Sequence, residues 1–240
     1  MTDFFKKLYA SFFAVLVYVW LFISGLAVYP LFFITGFKEN HMRSFLYFQG
    51  KAIQLAITLA SGFKKKIAAR PLPDKPSVLV ANHPSTYDTF VFCSFNIKNL
   101  VCVAKGWPFR IIFYGKFIKR AGYINSDNKT AREIIDAAKE KMKQGLHVAI
   151  FPEGTRQKTT GRFRSLAFAI AINADTYVVP FAIKGLEKML PPGKYMPKYA
   201  RVSYSQLPEV HAGSFNYEAG DLKMAKHVKE LITENLKVNN

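Results

Sequence analysis

Apolar residues run without a charge from position 8 to position 37, between the pair Lys6 and Lys7 and the single Lys38. About thirty helical residues at ~1.5 Å each span roughly 45 Å, against a hydrocarbon core of ~30 Å. The pattern predicts a helix able to cross a bilayer with tilt or a bend, with Gly25 and Pro30 as bending points. A hairpin embedded in one leaflet fits the same pattern. A cleaved signal fits less well, because its apolar region covers only about 7–15 residues and ends on a small-x-small site that is missing here.

In the next stretch, 44–63, Phe45, Leu46, Phe48, Ile53, Leu55, Ile57 and Leu59 alternate with Gln49, Lys51 and Gln54. This reads as an interfacial or packing helix. Lys64, Lys65, Lys66 and Arg70 follow it. Directly after two apolar helices they are read as resting on anionic headgroups, each worth on the order of 1 kcal/mol there. Prolines at 71, 73 and 76 then mark a loop.

Beyond that loop, short β-rich runs alternate with helical stretches. Strands are expected at 77–81 (SVLVA), 100–104 (LVCVA), 122–125, 147–151 (HVAIF), 177–183 (YVVPFAI) and, as an edge strand, 200–205. Helices are expected at 87–95, at 129–143 with Ala131, Ile134, Ile135, Ala138 and Met142 on one face, at 166–173 and at 218–237; 107–117 is an apolar helix or loop. Such alternation indicates an α/β fold with a mostly parallel mixed sheet flanked by helices. The expected organisation is a membrane-associated helical segment, 1–63, and a catalytic domain, 64–240.

Charge and composition narrow the partners. Lys and Arg total 34 against 16 Asp and Glu, a net charge of +18, which favours nucleic acid, an anionic membrane, or an acidic protein or cofactor. The absence of any RNA- or DNA-binding motif and the apolar N-terminus oppose nucleic acid. Aromatic residues make up 15% of the chain, and many of its 22 phenylalanines lie near the N-terminus. The basic residues after position 37 outnumber those before the apolar run, so if that run spans, the positive-inside rule puts the C-terminal domain in the cytoplasm. Cys93 and Cys102 form neither a disulfide framework nor a zinc pattern and read as buried thiols. His41, His211 and His227 lack metal-ligand spacing; His147 opens a buried strand and is expected to be structural.

Two motifs follow strands directly. Asn82-His83-Pro84-Ser85-Thr86-Tyr87-Asp88 follows the first predicted strand of the domain. An aspartate five residues after the histidine can fold back if a tight turn opens the next helix, and its carboxylate then holds one imidazole nitrogen while the other takes a proton. The structural alternative is a helix-capping Asp beside a packing His. Ser85 is discounted as a nucleophile, since it lies two residues from His83 without a nucleophile elbow. Phe151-Pro152-Glu153-Gly154-Thr155-Arg156 follows the fourth predicted strand, with Lys158, Arg162 and Arg164 beyond. Gly154 permits close backbone approach, Arg156 presents a planar fork suited to phosphate, and Thr155 adds a hydroxyl. Glu153 either orients Arg156 or accepts a bond from an acceptor hydroxyl. The alternative is a solvated basic loop. Trp107 and Phe109 are candidates for an acyl groove, with core packing the favoured reading.

Together the motifs resemble those of the lysophosphatidic acid and glycerolipid acyltransferase family, whose hallmarks are NHxSxxD and FPEGTR; Val178-Val179-Pro180 resembles a further segment, and the likeness covers roughly residues 65–210. It implies an O-acyltransferase without a bound cofactor or metal, which moves a fatty acyl group from acyl-CoA or acyl-carrier protein directly to the hydroxyl of a lysophospholipid, without an acyl-enzyme. Membrane lipids and the acyl carrier are the implied partners. Carried over, His83 is the general base, Asp88 orients it, and Glu153, Gly154, Thr155 and Arg156 bind the acceptor. Where the family carries G-x-I-F-I-D-R, this chain reads Gly122-Tyr123-Ile124-Asn125-Ser126-Asp127-Asn128, so Asn128 replaces the arginine and Lys129 is the candidate substitute. Phe163-Arg164-Ser165-Leu166 departs from the family near a helix start. Two other readings remain: acylation of a non-phosphate acceptor such as a lyso-aminolipid, and a membrane-docked lipid-binding protein without activity.

Overall fold

A computed structural model describes residues 3–36, 38–112, 114–194 and 196–238. The apolar run forms helix α1 (Asp3–Thr35), which passes through Gly25 and Pro30 without interruption. Phe37, at the end of the predicted stretch, and Phe113, inside the predicted 107–117 element, lie outside the described residues. α2 (Glu39–Ala60) then returns along α1. The two helices meet along a narrow stripe: Ala10, Ala14, Val17, Ser24 and Gly25 are buried on α1, and Gln49 of α2 donates to the Ser24 hydroxyl at 2.8 Å. Small residues at this spacing let two helix backbones approach closely.

The sheet contains β1 (Lys65–Ala68), β2 (Val78–Ala81), β3 (Leu100–Ala104), β4 (Ile124–Asn125), β5 (His147–Ile150), β6 (Tyr177–Lys184), β7 (Val202–Gln206) and β8 (Val210–His211). Its order is β1-β7-β6-β2-β5-β3-β4, with β8 also on β6. All pairings are parallel except β6 with β7 and β8. The remaining helices are α3 (Val91–Ser94), α4 (Tyr114–Arg120), α5 (Ala131–Lys143), α6 (Leu166–Asn173), α7 (Leu186–Met189) and α8 (Gly220–Val238).

The central strand β2 is fully enclosed and reads apolar throughout, as a strand covered on both faces must. Val78 and Val80 join a core under α5, α6 and α8, while Leu79 and Ala81 join a second core under α2, α3 and α7. Each buried Val or Leu contributes on the order of 1.5–3 kcal/mol. Proline is unusual in a central strand because it cannot donate to the ladder. On one side of β6, β8 pairs Tyr177 and Val178 while β7 pairs Phe181 to Lys184, so Pro180 falls between the two pairings.

Several expectations are corrected. The predicted 87–95 helix is a 3-10 turn at Tyr87–Phe90 followed by the short α3, a break that turns Asp88 back toward His83. The 107–117 stretch needs no such correction: expected as a helix or loop, it holds a short turn at Pro108–Arg110 and the start of α4. The strand expected at 200–205 is not at the edge: β7 lies between β6 and β1, and β1 takes the edge with part of the lysine run. Lys65 turns inward, with Nζ donating to the Gln54 carbonyl at 3.0 Å. Burial, aided by repulsion from Lys51, lowers its pKa to about 8. Lys64 and Lys66 remain exposed.

Candidate active site

The site forms where the strand order reverses. β2 lies between β5 and β6 and runs parallel to both, so the loops after β2 and β5 emerge side by side at the carboxyl edge of the sheet. Open α/β sheets bind ligands at such a point. Asn82 extends this edge by one residue. Its amide donates to the Ile183 carbonyl and accepts from the Ile183 N–H, both at 2.8 Å, thereby anchoring the end of β2 to β6 before the chain turns.

His83 follows. Its Nδ1 lies 2.9 Å from Asp88 Oδ2, and Asp88 is fully buried. The same oxygen accepts the Ser85 N–H at 2.8 Å, so the carboxylate holds both ring and loop. Since an ionised carboxylate only accepts, Nδ1 carries the hydrogen and Nε2 keeps the lone pair. The ring stacks on Phe151 with centroids 4.3 Å apart, which fixes its plane. The Ser85 hydroxyl donates to the Leu190 carbonyl at 2.7 Å and accepts the Tyr87 N–H at 3.2 Å; it is a structural hydroxyl.

Glu153 joins the two motifs. One carboxylate oxygen accepts the His83 N–H and the other the Gly161 N–H, each at 3.1 Å, and the residue is only 3% exposed. Burial raises its pKa, against the opposing effect of these two bonds. Gly154 takes a φ of +69°, and a Cβ there would meet the Arg164 guanidinium at 3.3 Å. Thr155 is exposed. Arg156 Nε donates to the Ser85 carbonyl at 3.1 Å, and its guanidinium lies 5.6 Å from the ring centroid of Trp107. Trp107, expected to pack in the core, is instead 46% exposed.

His83, Gly154, Thr155, Arg156 and Lys129 all line one cavity of about 1400 Å³, larger than the ~300–1,000 Å³ of ordinary small-molecule pockets. Arg164 and Lys105 add positive charge to its wall. Asn128 adopts φ +59°, a conformation Asn tolerates better than Arg. Lys129, and not Asn128, borders the cavity. Away from His83 the cavity reaches between α2, α3, β3 and α4, where Leu46, Ile97, Leu100, Phe117 and Ile118 give it apolar walls. Sequence spacing carried no sign of the Trp107–Arg156 contact, or of Glu153 bonding to the His83 backbone.

A family model described as Acyltransferase matches residues 63–184. The chain belongs to the acyltransferase family. It is 33% identical over 128 residues to a chloroplastic 1-acyl-sn-glycerol-3-phosphate acyltransferase of Arabidopsis thaliana, covering 51% of this chain and 36% of that protein. It is 30% identical over 156 residues to the 1-acyl-sn-glycerol-3-phosphate acyltransferase of Pseudomonas aeruginosa, covering 62% and 58%. In both cases the matched stretch spans less than two thirds of the relative's length. The crystal structure of the 1-acyl-sn-glycerophosphate (LPA) acyltransferase from Thermotoga maritima superposes with a TM-score of 0.65 over 97% of each chain at 20% identity. That likeness extends the shared fold to the N-terminal helices.

Proposed function

We propose that this acyltransferase moves a fatty acyl group from acyl-CoA or acyl-carrier protein to the hydroxyl of a lysophospholipid such as lysophosphatidic acid, with His83 as general base. The observation that carries the reading is the His83–Asp88 pair on a cavity with both a basic wall and an apolar arm. The relatives' names add the acceptor class. His83 Nε2 takes the proton as the acceptor oxygen bonds to the thioester carbonyl carbon. The resulting tetrahedral intermediate expels the thiolate, which recovers the proton from the imidazolium. Asp88 stabilises that imidazolium and keeps Nε2 free. Glu153 holds the backbone of His83, and Arg156 with Lys129 binds the acceptor's anionic group, with Gly154 and Thr155 beside it.

Residues 1–63 are assigned to membrane attachment and 64–240 to catalysis, with α2 serving both because Ile53 and Ile57 enter the core. The family match, which begins at residue 63, supports this division. Residues 4–31 of α1 are long and apolar enough to cross a membrane and are mostly not buried. Flanking charge favours a cytoplasmic catalytic domain.

The test is an acyl-transfer assay against a panel of lyso-acceptors with both donors, on wild type and His83→Ala. Wild type is expected to acylate lysophosphatidic acid, and His83→Ala to lose about 100-fold or more in turnover while remaining folded by circular dichroism. Near-normal turnover in the variant would rule out His83 as the base. Acylation confined to acceptors without a phosphate would favour the aminolipid reading.

A further inference from the structure

The turn between β3 and α4 is closely built, yet it leaves large apolar side chains in the open. The Phe109 and Arg110 N–H groups donate to the Gly106 and Trp107 carbonyls at 3.2 and 3.1 Å, and the Gly115 N–H donates to the Ile111 carbonyl at 2.8 Å. A Cβ at Gly115 would overlap the Phe109 carbonyl oxygen. Phe109 packs inward, but Trp107, Ile111 and Ile112 are 46%, 44% and 80% exposed. A single exposed apolar side chain is ordinary, whereas three on one short turn mark a contact. All three border the cavity that holds His83.

The neighbours of the turn indicate what covers it. Val28 and Tyr29 of α1 pack against the same small core, around Phe117, as Phe109 and Tyr114, and Lys116 Nζ donates to the Tyr29 hydroxyl at 2.6 Å. Phe22 of α1, itself 65% exposed, borders the same cavity as the turn. The turn thus continues the exposed apolar side of α1. Charge points the same way. No Asp or Glu lies between Asp88 and Asp127, and Lys105, Arg110, Lys116 and Lys119 are exposed around the turn. Apolar tips among cations suit an anionic lipid surface, and tryptophan favours the membrane–water interface. We propose that the turn 107–112 is a second membrane contact, which seats Trp107, Ile111 and Ile112 in the same anionic leaflet as α1 and holds this rim of the cavity against lipid. The inference rests on the membrane reading of α1 and adds to it a contact made by the catalytic domain itself.

The chain has two tryptophans, Trp20 and Trp107, so each can be made the sole reporter. Full-length Trp20→Phe and Trp107→Phe proteins are reconstituted into vesicles of equal parts phosphatidylcholine and phosphatidylglycerol, with or without bromine on the acyl chains. In Trp20→Phe the Trp107 emission is expected to shift to shorter wavelength on vesicles and to be quenched by the brominated lipid. Adding Ile112→Asp should remove most of that quenching, while Ile112→Asp in the Trp107→Phe protein should leave the quenching of Trp20 as it was. Trp20 quenched and Trp107 not would overturn the proposal and keep α1 in the bilayer. Neither quenched would remove both readings. Quenching of Trp107 that saturates at one brominated lipid per protein would place a lipid inside the cavity and would also overturn the proposal; quenching that rises with the brominated fraction of the whole bilayer supports it.

Discussion

At the scale of single residues, the site separates groups that hold from groups that bind. Asn82, Ser85 and Glu153 are buried, and their side chains bond to backbone atoms of neighbouring segments. Arg156 is different. One nitrogen is used on the Ser85 carbonyl, and the rest of the fork lies above Trp107 at the cavity wall. Arg156→Ala is therefore expected to raise the apparent KM for an anionic acceptor by roughly 10- to 150-fold, the range for a charged hydrogen bond, with little change for the acyl donor. Lys129→Ala should act in the same direction but less strongly, since ammonium is a point charge without the planar fork. Steady-state kinetics with donor and acceptor varied separately checks both, and impairment confined to the donor would contradict the assignment.

At the scale of elements, α5 is the most independently specified piece of the catalytic region. Its apolar face buries Ile134, Ile135, Ala138 and Met142. Thr130 closes the start with a reciprocal box: its hydroxyl accepts from the Glu133 N–H, and Glu133 accepts from the Thr130 N–H at 2.8 Å. Lys129, the candidate acceptor-binding lysine, is the residue before this cap. Thr130→Ala should cost about 1 kcal/mol, lowering Tm by about 2–4 °C in a chain of this size. Thermal unfolding by circular dichroism measures it. Unchanged stability would mean that the cap is replaced by water without loss. The acceptor KM should rise as well if the cap also positions Lys129.

At the scale of the whole molecule, the exposed side of α1 is the least soluble feature. Phe4, Leu8, Phe12, Leu16, Trp20, Ile23 and Leu31 are about half exposed or more, and exposed apolar rows of this kind mark interaction with a membrane or a partner. Tyr18 of the same helix meets the Tyr87 hydroxyl at 3.2 Å, one residue from Asp88. Helix α1 thus touches the motif of His83 and Asp88, and Tyr18 and Leu21 border the cavity. The protein is expected to stay in membranes through high salt and through alkaline washing, because apolar burial is insensitive to screening, unlike lysine–headgroup attraction. Quantitative release into the salt wash would rule out an inserted α1.

The sequence by itself determined the elements whose signal is local. The charge-free run, the apolar strands, the face of α5 and the two motifs are all readable because periodicity and composition act over a few neighbours. It also located each motif at the end of a strand, and the spacing of His83 and Asp88 already allowed their bond. Tertiary structure decided which strands are neighbours. Only the placement of β2 beside β5 brings His83 to Glu153, 70 positions apart. Only the packing of separate elements stacks Trp107 under Arg156 and turns Lys65 inward. Pairing over such separations depends on which partner best buries a whole face, and that choice leaves no mark on either strand's own pattern.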